Sequence, residues 1–348
     1  MVNIRHATAA DSDALINLSA LTPMKGRISL RIDRNPDFFQ LLRERGTYIA
    51  FVAETEKKEI VGSFTAACQT FFIEQTEVPV YYLGDLKVHP QYTGSSLAYR
   101  IVQKMYAELK AGGADLLYCN TVKGNDSVMP FFGGRAGIPE FKNICRFHLY
   151  QVLPRRSRGQ NTDTTESYNL EELELFYKNF YSRYGFFPDI KQLASCTHFI
   201  RKENGKILAA LSVADTASFK QNVLISYPVG IGILLGIFRI LRPLLSLPRI
   251  PQKNLPLNIL YVKFYGGAKF SDQALEGLIG QARHFAYENN YHFLSIAVDE
   301  KDERMNRLMK KWKLFVFNSN GLLTSLKDQT GLITRISTAI SYEDFSLV

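Results

Sequence analysis

The chain has 348 residues, a length that suits two domains of ordinary size better than a single core. Hydrophobic residues make up 46% and aromatic residues 12%, which excludes a disordered protein. The formal net charge of +9 suits a phosphate-bearing ligand or an anionic membrane surface. It would also suit nucleic acid, but no segment interleaves aromatic and basic residues in the manner of a nucleic-acid module. We therefore expect no nucleic-acid partner.

The cysteines, the histidines and the first residues argue against several other classes of protein. The four cysteines (Cys68, Cys119, Cys145 and Cys196) form no CxxC pair, and the six histidines show no spacing typical of metal ligands. Residues 1–13 contain no apolar segment of the kind found in signal peptides. We therefore predict reduced thiols, no metal site and a cytoplasmic location.

The first half reads as a series of strands and helices. The predicted elements are a strand at 4–8, helices at 12–21 and 35–45, a hairpin of strands at 48–53 and 60–70, a strand at 78–88, a helix at 95–112, a strand at 114–121, a short helix ending near 132 and a strand at 144–152. Asp11, Ser12 or Asp13 can cap the first helix, and Gly112 and Gly113 are a usual stop for the long one.

Residues 154–168 have almost no apolar content, which predicts a linker between domains at 1–153 and 169–348. A long surface loop is the alternative. The second half then gives a helix at 170–184, a hairpin at 196–201 and 206–215, a strand at 257–265, a helix at 271–290, a strand at 293–298, a helix at 303–312 and strands at 314–317 and 322–326. This order repeats that of the first half and indicates a duplicated domain.

Residues 81–99, YYLGDLKVHPQYTGSSLAY, place a sharp turn between a strand and a helix. Pro90 ends the strand after Val88, the chain turns around Gly94, and the helix begins at once. Unpaired backbone N–H groups at the positive end of a helix are natural partners of phosphate oxygens. Gly94 lets a ligand approach the backbone closely, and Ser95 and Ser96 can add hydroxyl hydrogen bonds.

The segment VHPQYTGSSLA resembles the acyl-CoA-binding motif of the GCN5-related N-acetyltransferases, the GNAT family. That motif, Gln/Arg-x-x-Gly-x-Gly/Ala, follows a strand ending in Val. Gln91 and Gly94 match it, and Ser96 stands where Gly or Ala is usual. The opening IRHATAADSDAL resembles the family's first strand and helix, and NDSVMPFF resembles its later segment along the CoA arm. Together these segments cover most of residues 1–152.

The resemblance implies a fold, a cofactor and a set of cofactor-binding residues. The fold class is α/β (α+β), with two GNAT-like domains, each a mixed, mostly antiparallel twisted sheet flanked by helices. The cofactor is acetyl-CoA or another acyl-CoA. The implied binding residues are Leu86, Val88, Gln91, Tyr92, Thr93, Gly94, Ser95, Ser96, Leu97, Asn125 and Phe132.

The implied reaction is direct attack of a primary amine, on a small molecule or a peptide, on the thioester. Such a reaction needs a base for the amine and an acid for the thiolate, and a backbone N–H near Val88 polarises the carbonyl. Asp85 is the predicted base, because the family often has an acidic residue on this strand. Alternation would place Asp85 on one face with Leu83 and Lys87, so a simple ion pair with Lys87 is the alternative.

Phe132 stands where the family commonly has a tyrosine that acts as the acid. Three interpretations therefore stay open. The thiolate leaves without a protein acid, a tyrosine elsewhere donates the proton, or the protein binds acyl-CoA without turnover.

The second half lacks the Gln/Arg-x-x-Gly-x-Gly pattern at 257–272, which indicates a degenerate GNAT-like domain that does not bind CoA. Its insertion at 223–250 is apolar, but the clean run is shorter than the ~20 residues of a spanning helix. We expect a buried helix or inter-domain insertion there. A peripheral membrane contact, favoured by Arg239, Arg242, Arg249 and Lys253, stays open, as do a pocket wall for a lipid-like group and a homodimer.

The main hypothesis is an N-acyltransferase that uses acyl-CoA, with acetyl-CoA as the expected donor. The alternatives are a catalytically silent module that binds CoA or acyl-CoA, and a membrane-associated acyltransferase for longer acyl chains.

Overall fold

The computed structural model of the protein describes residues 2–23, 29–122, 130–134, 137–156, 167–245, 248–268 and 271–348. The strands are, in chain order, β1 (Val2–His6), β2 (Ser29–Asp33), β3 (Thr47–Thr55), β4 (Ile60–Ile73), β5 (Thr76–Val88), β6 (Leu116–Val122), β7 (Lys142–Val152), β8 (Phe186–Pro188), β9 (Thr197–Glu203), β10 (Lys206–Asp215), β11 (Gln221–Ser226), β12 (Pro256–Leu257), β13 (Ile259–Gly267), β14 (Phe293–Asp299) and β15 (Lys313–Ser325). The helices are α1 (Ser12–Ala20), α2 (Gln40–Arg45), α3 (Leu97–Ala111), α4 (Leu170–Tyr181), α5 (Val229–Leu245), α6 (Asp272–Glu288), α7 (Glu303–Met309) and α8 (Thr330–Thr338).

One sheet of twelve strands runs through the part of the chain that the structure describes. Its order is β1-β3-β4-β5-β6-β15-β7-β14-β13-β10-β9, and β8 pairs with β4. The pairs β5–β6 and β13–β14 are parallel, and each is joined by a crossover helix, α3 or α6, as parallel neighbours require. The other neighbours are antiparallel. The predicted fold class, a mixed and mostly antiparallel sheet flanked by helices, is therefore confirmed.

The two halves of the sheet share a plan and exchange a strand. The run β3-β4-β5-β6 of the first half corresponds to β9-β10-β13-β14 in the second. β15, late in the chain, pairs with β6, while β7 pairs with β14, and β15 and β7 pair with each other at the centre. Each half is thus completed by a strand from the other. The predicted linker at 154–168 stays a prediction, because residues 157–166 lie outside the described residues.

Helix α3 covers the sheet of the first half with one apolar face. Its buried residues recur every three or four positions, as one face of a helix requires: Leu97, Ile101, Val102, Met105, Tyr106 and Leu109. They pack in one cluster with Phe51, Leu83 and Leu117 of the sheet. The helix ends at Gly112 and Gly113, as predicted, and Gly113 has a φ of 77° that suits glycine. This packing fixes the start of α3 beside the end of β5.

Strand β15 corrects the prediction of two short strands at 314–317 and 322–326. The structure has one strand of 13 residues. Its polar centre, which reads as a turn, pairs with β6 on one side and β7 on the other. A Cβ at Gly321 would lie 2.5 Å from the Cys145 Sγ and 2.9 Å from the Tyr118 hydroxyl. The glycine therefore marks close packing of three strands rather than a turn.

The insertion predicted at 223–250 holds two elements with different surroundings. Strand β11 belongs to a small sheet of order β12-β11-β2, where Val223 and Leu224 are buried. Helix α5 follows, and the expectation of a buried helix is wrong for it, because Val229 and Ile240 are 80% and 76% exposed. Part of the apolar run thus serves a buried strand, and the rest forms a helix with one face in solvent. No helix in the described ranges is long and apolar enough to cross a membrane.

Candidate functional site

The neighbouring strands β5 and β6 separate partway along their length. They pair only at residues 80–82 of β5 and 116–118 of β6, whereas β5 continues to Val88 and β6 to Val122. On its other edge, β5 stays paired with β4 as far as Val88. A gap therefore opens between β5 and β6 beside the N-terminus of α3. Backbone groups on its edges are not used by the sheet and can meet a ligand.

The end of β5 directs a backbone N–H into this gap. The N–H of His89 donates to the Val61 carbonyl at 2.9 Å, on the side of β4. Successive backbone groups of a strand point to opposite edges, so the N–H of Val88 points toward β6. A carbonyl oxygen in the gap would find this donor already in position.

The turn between β5 and α3 is held by its own hydrogen bonds. The N–H groups of Tyr92, Thr93 and Ser95 each donate to the carbonyl three residues back in the same turn. The N–H of Gln91 donates to the His89 ring, and the N–H of Leu97 donates to the Ser95 Oγ at 3.3 Å. The predicted cradle thus has a fixed backbone before any ligand binds.

Two N–H groups of the turn have no hydrogen-bond partner among the described residues. They belong to Gly94 and Ser96. Gly94 has a φ of 84°, and nothing lies within 4 Å of its Cβ position. Ser96 is exposed and immediately precedes α3, whose first N–H groups have no partner in the helix. An anion such as a pyrophosphate fits these donors and the positive end of the helix.

Asp85 lies in a β-bulge. Its φ is 54°, in the left-handed region, and the register with β4 shifts at this point. Thr65 lies opposite Gly84, but Ser63 lies opposite Lys87, so β5 carries one residue more than β4. The Ser63 hydroxyl donates to the Asp85 carbonyl at 2.9 Å and fixes the bulge. Bulges of this kind re-aim a side chain.

The bulge changes which side chains share a face. Leu83, Leu86 and Val88 all pack in the apolar cluster under α3. The side chains of Asp85 and Lys87 contact residues outside that cluster. The prediction that Leu83 shares a face with Asp85 and Lys87 is therefore wrong, because the extra residue breaks the strict alternation.

The carboxylate of Asp85 is paired, and its partner comes from a distant segment. Arg34 Nη1 lies 2.9 Å from Asp85 Oδ2, and the Thr65 hydroxyl donates to the same oxygen at 3.0 Å. Lys87 instead donates to the Thr22 carbonyl at 3.3 Å. Burial lowers the pKa of both Arg34 and Lys87, which Asp85 partly offsets. Asp85 thus supplies the negative charge next to two cations that are poorly solvated.

The later cofactor segment is only partly described. Asn125 lies outside the described residues. Phe132 packs edge-on against Phe141, with ring centroids 5.0 Å apart, at the border of the cluster under α3. Tyr92 and Tyr99 lie at the same border. Phe132 cannot donate a proton, but two tyrosines of the turn and of α3 are close to the same cluster.

The structure contains a cluster of buried charged residues that the sequence analysis did not predict. We call it the junction cluster: Arg45 of α2, Lys220, Lys263 of β13, and Glu343 and Asp344. Lys263 and Asp344 form an ion pair at 2.6 Å with both side chains buried. Arg45 donates to the Leu347 carbonyl and lies over the Tyr82 ring, and Lys220 donates to the carbonyls of Phe345 and Val348. No local pattern marks these residues, since the fold brings them together from both halves.

The surroundings of this cluster shift two pKa values strongly. Burial raises the pKa of the Glu343 carboxyl to about 7, although Arg45 acts against this shift. Burial lowers the pKa of the Lys220 ammonium to about 7. Neither Glu343 oxygen makes a well-formed hydrogen bond within the described ranges, although the Tyr118 hydroxyl is near. Charge repulsion from Arg34 and Arg45 also lowers the pKa of Lys220, which connects the cluster electrostatically to the Arg34–Asp85 pair.

The thiols and potential metal ligands suggest no second chemistry. Burial raises the pKa of Cys119 and Cys145 strongly and that of Cys196 to about 12, so these thiols are poor nucleophiles near neutral pH. In the described part of the chain, no group of three His, Cys, Asp or Glu side chains could hold a metal ion.

The comparison with family models identifies the first half. Residues 17–137 match the model of the acetyltransferase (GNAT) family. This range contains β5, the gap beside it, the turn and α3. Residues 17–137 therefore carry a GNAT domain, as the motif predicted. No curated protein sequence matches the chain.

Solved structures share the fold over most of the chain. Saccharomyces cerevisiae N-myristoyltransferase with bound myristoyl-CoA is 12% identical, with a TM-score of 0.59, covering 93% of this chain and 82% of that one. A probable N-acyltransferase from Enterococcus faecalis V583 is 9% identical, with a TM-score of 0.51 and coverage of 95% and 74%. A GCN5-related N-acetyltransferase from Anabaena variabilis is 9% identical, with a TM-score of 0.51 and coverage of 93% and 72%. At these identities the likeness concerns the fold, and it extends over both halves.

Proposed function

We propose that the protein is an acyl-CoA-dependent N-acyltransferase that transfers the acyl group to a primary amine by direct attack. The observation that carries this proposal is the gap between β5 and β6, which ends at a turn with unused N–H groups inside a GNAT domain. The turn would hold the pyrophosphate, and the Val88 N–H would polarise the thioester carbonyl. The amine would approach from the face of Asp85.

We propose Asp85 as the base, acting through water. Its position on β5, three residues before Val88, and its orientation away from the apolar cluster support this role. The neighbouring cations Arg34 and Lys87 would also act on the protonation state of the attacking amine. Their positive charges would disfavour an ammonium next to them and so favour the neutral amine that attacks.

Two acyl groups are candidates for the donor. Acetyl-CoA is the donor that the motif suggests. Saccharomyces cerevisiae N-myristoyltransferase, whose solved structure holds myristoyl-CoA, shares the fold, so a longer acyl chain is the second candidate. We therefore propose acyl-CoA as the donor class, with binding of acetyl-CoA and myristoyl-CoA compared directly.

The second half is proposed to hold no cofactor. Its parallel strands also separate early, since β13 and β14 pair only at residues 259–261 and 293–295. A Cβ at Gly266, however, would lie 2.9 Å from the Phe176 ring and 3.0 Å from the Phe180 ring of α4. A cavity lined in part by Phe180, Tyr265 and Leu275 measures about 10 Å³. We infer that these aromatic side chains leave no room for a CoA arm along this part of β13.

The test is acyl-CoA binding by the wild-type protein and by Ser96→Glu. A carboxylate at Ser96 would face the pyrophosphate, and two like charges at this range should weaken binding by about tenfold to a hundredfold. The same carboxylate at a helix N-terminus stabilises the fold by about 0.3–1 kcal/mol, so lost binding could not be ascribed to unfolding. Ser96→Gln has a side chain of the same size without the charge and should bind far better than Ser96→Glu.

Isothermal titration with acetyl-CoA and myristoyl-CoA gives the affinities, and thermal unfolding gives the stability. No affinity of the wild-type protein for either donor would overturn the proposal. Equal binding by Ser96→Glu and the wild type would remove the turn as the pyrophosphate site.

A catalytically silent acyl-CoA-binding module is the second candidate, favoured by Phe132 at the position of the usual acid. The two candidates differ in thiol release. An enzyme releases CoA thiol when acyl-CoA is mixed with an amine that it accepts. Tight binding without thiol release across a broad panel of small and peptide amines would favour the silent module.

A further inference from the structure

Helix α5 presents a continuous apolar stripe to solvent. Val229, Ile233, Ile237 and Ile240 are 80%, 62%, 48% and 76% exposed. At about 100° per residue, these four positions fall within an arc of roughly 80°, so they form one stripe along the helix. Large β-branched side chains so exposed and so aligned are unusual on a soluble surface and mark a contact site.

The charged residues in the sequence around this stripe are all basic. Between Asp215 and Asp272 the sequence contains no Asp or Glu but seven Lys or Arg residues. Two of these, Lys220 and Lys263, are buried in the junction cluster. Arg239 on α5, and Arg249 and Lys253 after it, are exposed.

An open cavity lies at the end of the stripe. Its volume is about 550 Å³, and it is lined by Arg239, Arg249, Ile250, Gln252 and Asn290. Neither arginine forms an ion pair with a described residue. Two guanidinium groups and two side-chain amides around one cavity suit an anionic headgroup, since arginine binds phosphate oxygens in a fixed fork.

We propose that α5 and the adjoining segment 249–255 form a docking surface for an anionic lipid bilayer. The stripe would enter the interface between headgroups and acyl chains, and the cavity would take a lipid phosphate. The 17 residues of α5 span about 25 Å, less than the ~30 Å hydrocarbon core, and an interfacial helix lies in the plane of the membrane. Leu255, which is 48% exposed, adds apolar surface next to Lys253.

The charge of this surface favours an anionic bilayer over a second copy of the chain as the binding partner. A dimer formed through this stripe would bring Arg239, Arg249 and Lys253 of two copies together, which costs free energy unless acidic residues face them. The sequence around the stripe offers none. An anionic bilayer supplies both the apolar interior and the opposite charge.

The experiment is co-sedimentation of the full-length protein with phosphatidylcholine vesicles, with and without phosphatidylserine. We expect binding to the anionic vesicles, weak binding to neutral ones, and loss of binding at high salt. Arg239→Gln combined with Arg249→Gln should lower partitioning by about tenfold or more, since each cation near the surface contributes. Ile233→Gln combined with Ile237→Gln should also lower partitioning into the anionic vesicles at low salt, where the wild type binds.

The control variants are Leu175→Gln, an exposed leucine on α4, and Lys206→Gln, an exposed lysine on β10. Both should sediment like the wild type, and all variants should keep their affinity for acyl-CoA. Failure of the wild type to bind anionic vesicles would overturn the proposal. So would a dimer in light scattering that the isoleucine variants dissociate without any vesicle binding. Either result leaves the proposed acyl transfer untouched, because the turn before α3 is a separate site.

Discussion

At the scale of single residues, Asp85 combines a proposed catalytic role with a structural one. Its carboxylate neutralises Arg34, and both side chains are nearly buried, 12% and 11% exposed. Removing one member of such a pair leaves the other charge buried and costs about 3–5 kcal/mol. A loss of activity in Asp85→Asn alone could therefore come from either role.

The double variant Asp85→Asn with Arg34→Gln separates the two roles. Asp85→Asn alone should lower kcat by about 10²–10⁴-fold, the usual contribution of a general base, and should also lower the stability. Adding Arg34→Gln removes the unpaired charge, so stability should recover while kcat stays low. The measurements are thiol release and urea unfolding of the same preparations.

The KM for acyl-CoA should change little in either variant, because the turn of residues 89–97 is built independently of Asp85. Recovery of kcat together with stability in the double variant would show that Asp85 only holds Arg34.

At the scale of elements, β15 joins the two halves because Gly321 lets three strands approach closely. Gly321→Ala should destabilise the protein by about 1–3 kcal/mol, since its methyl group would overlap the Cys145 Sγ and the Tyr118 hydroxyl. Gly280→Ala on α6 is the matched control, because nothing lies within 4 Å of its Cβ position. That change should stabilise the helix by about 0.5–1 kcal/mol.

Urea midpoints of the two variants provide the measurement. If residues 318–321 formed the exposed turn that their polar side chains suggest, Gly321→Ala would be nearly neutral. A neutral result would therefore contradict the single continuous strand.

Elements defined by local pattern could be predicted, and those defined by distant partners could not. The hairpin β3–β4 and the path from β5 through the turn to α3 follow from alternation, Pro90 and Gly94, which act within a few residues. The bulge at Asp85 and the strand β2 depend on pairing with β4 and β11, which no window around them contains. The same holds for Arg34, because its partner Asp85 lies 51 positions along the chain.

At the scale of the whole molecule, charged groups from both halves meet in the interior. The segment 341–348 runs between them and carries Glu343 and Asp344 into the junction cluster. Arg45 reaches this segment from the first half, and Lys220 and Lys263 reach it from the second. The relative position of the halves therefore depends on how these charges are compensated, and so on pH.

Glu343 makes this dependence measurable. Its carboxyl has a pKa of about 7 in the folded protein and 4.5 when solvated, so the folded state favours the protonated form. Its contribution to stability is therefore unchanged below about pH 4.5, falls as pH rises toward 7, and stays low above it. Glu343→Gln removes the charge, so its stability relative to the wild type should rise over this window, by up to about 3 kcal/mol.

Urea unfolding at several values from about pH 5 to about pH 8 tests this difference, with the exposed Glu59→Gln as control. Glu59→Gln should follow the wild type at every pH. Arg45 keeps the Leu347 carbonyl and the Tyr82 ring as partners in Glu343→Gln, so loss of the carboxylate should not by itself unfold the junction. Parallel curves for the wild type and Glu343→Gln would mean that the Glu343 carboxyl is solvated or paired in solution. The halves would then be held together by the shared strands β7 and β15 rather than by the compensation of buried charge.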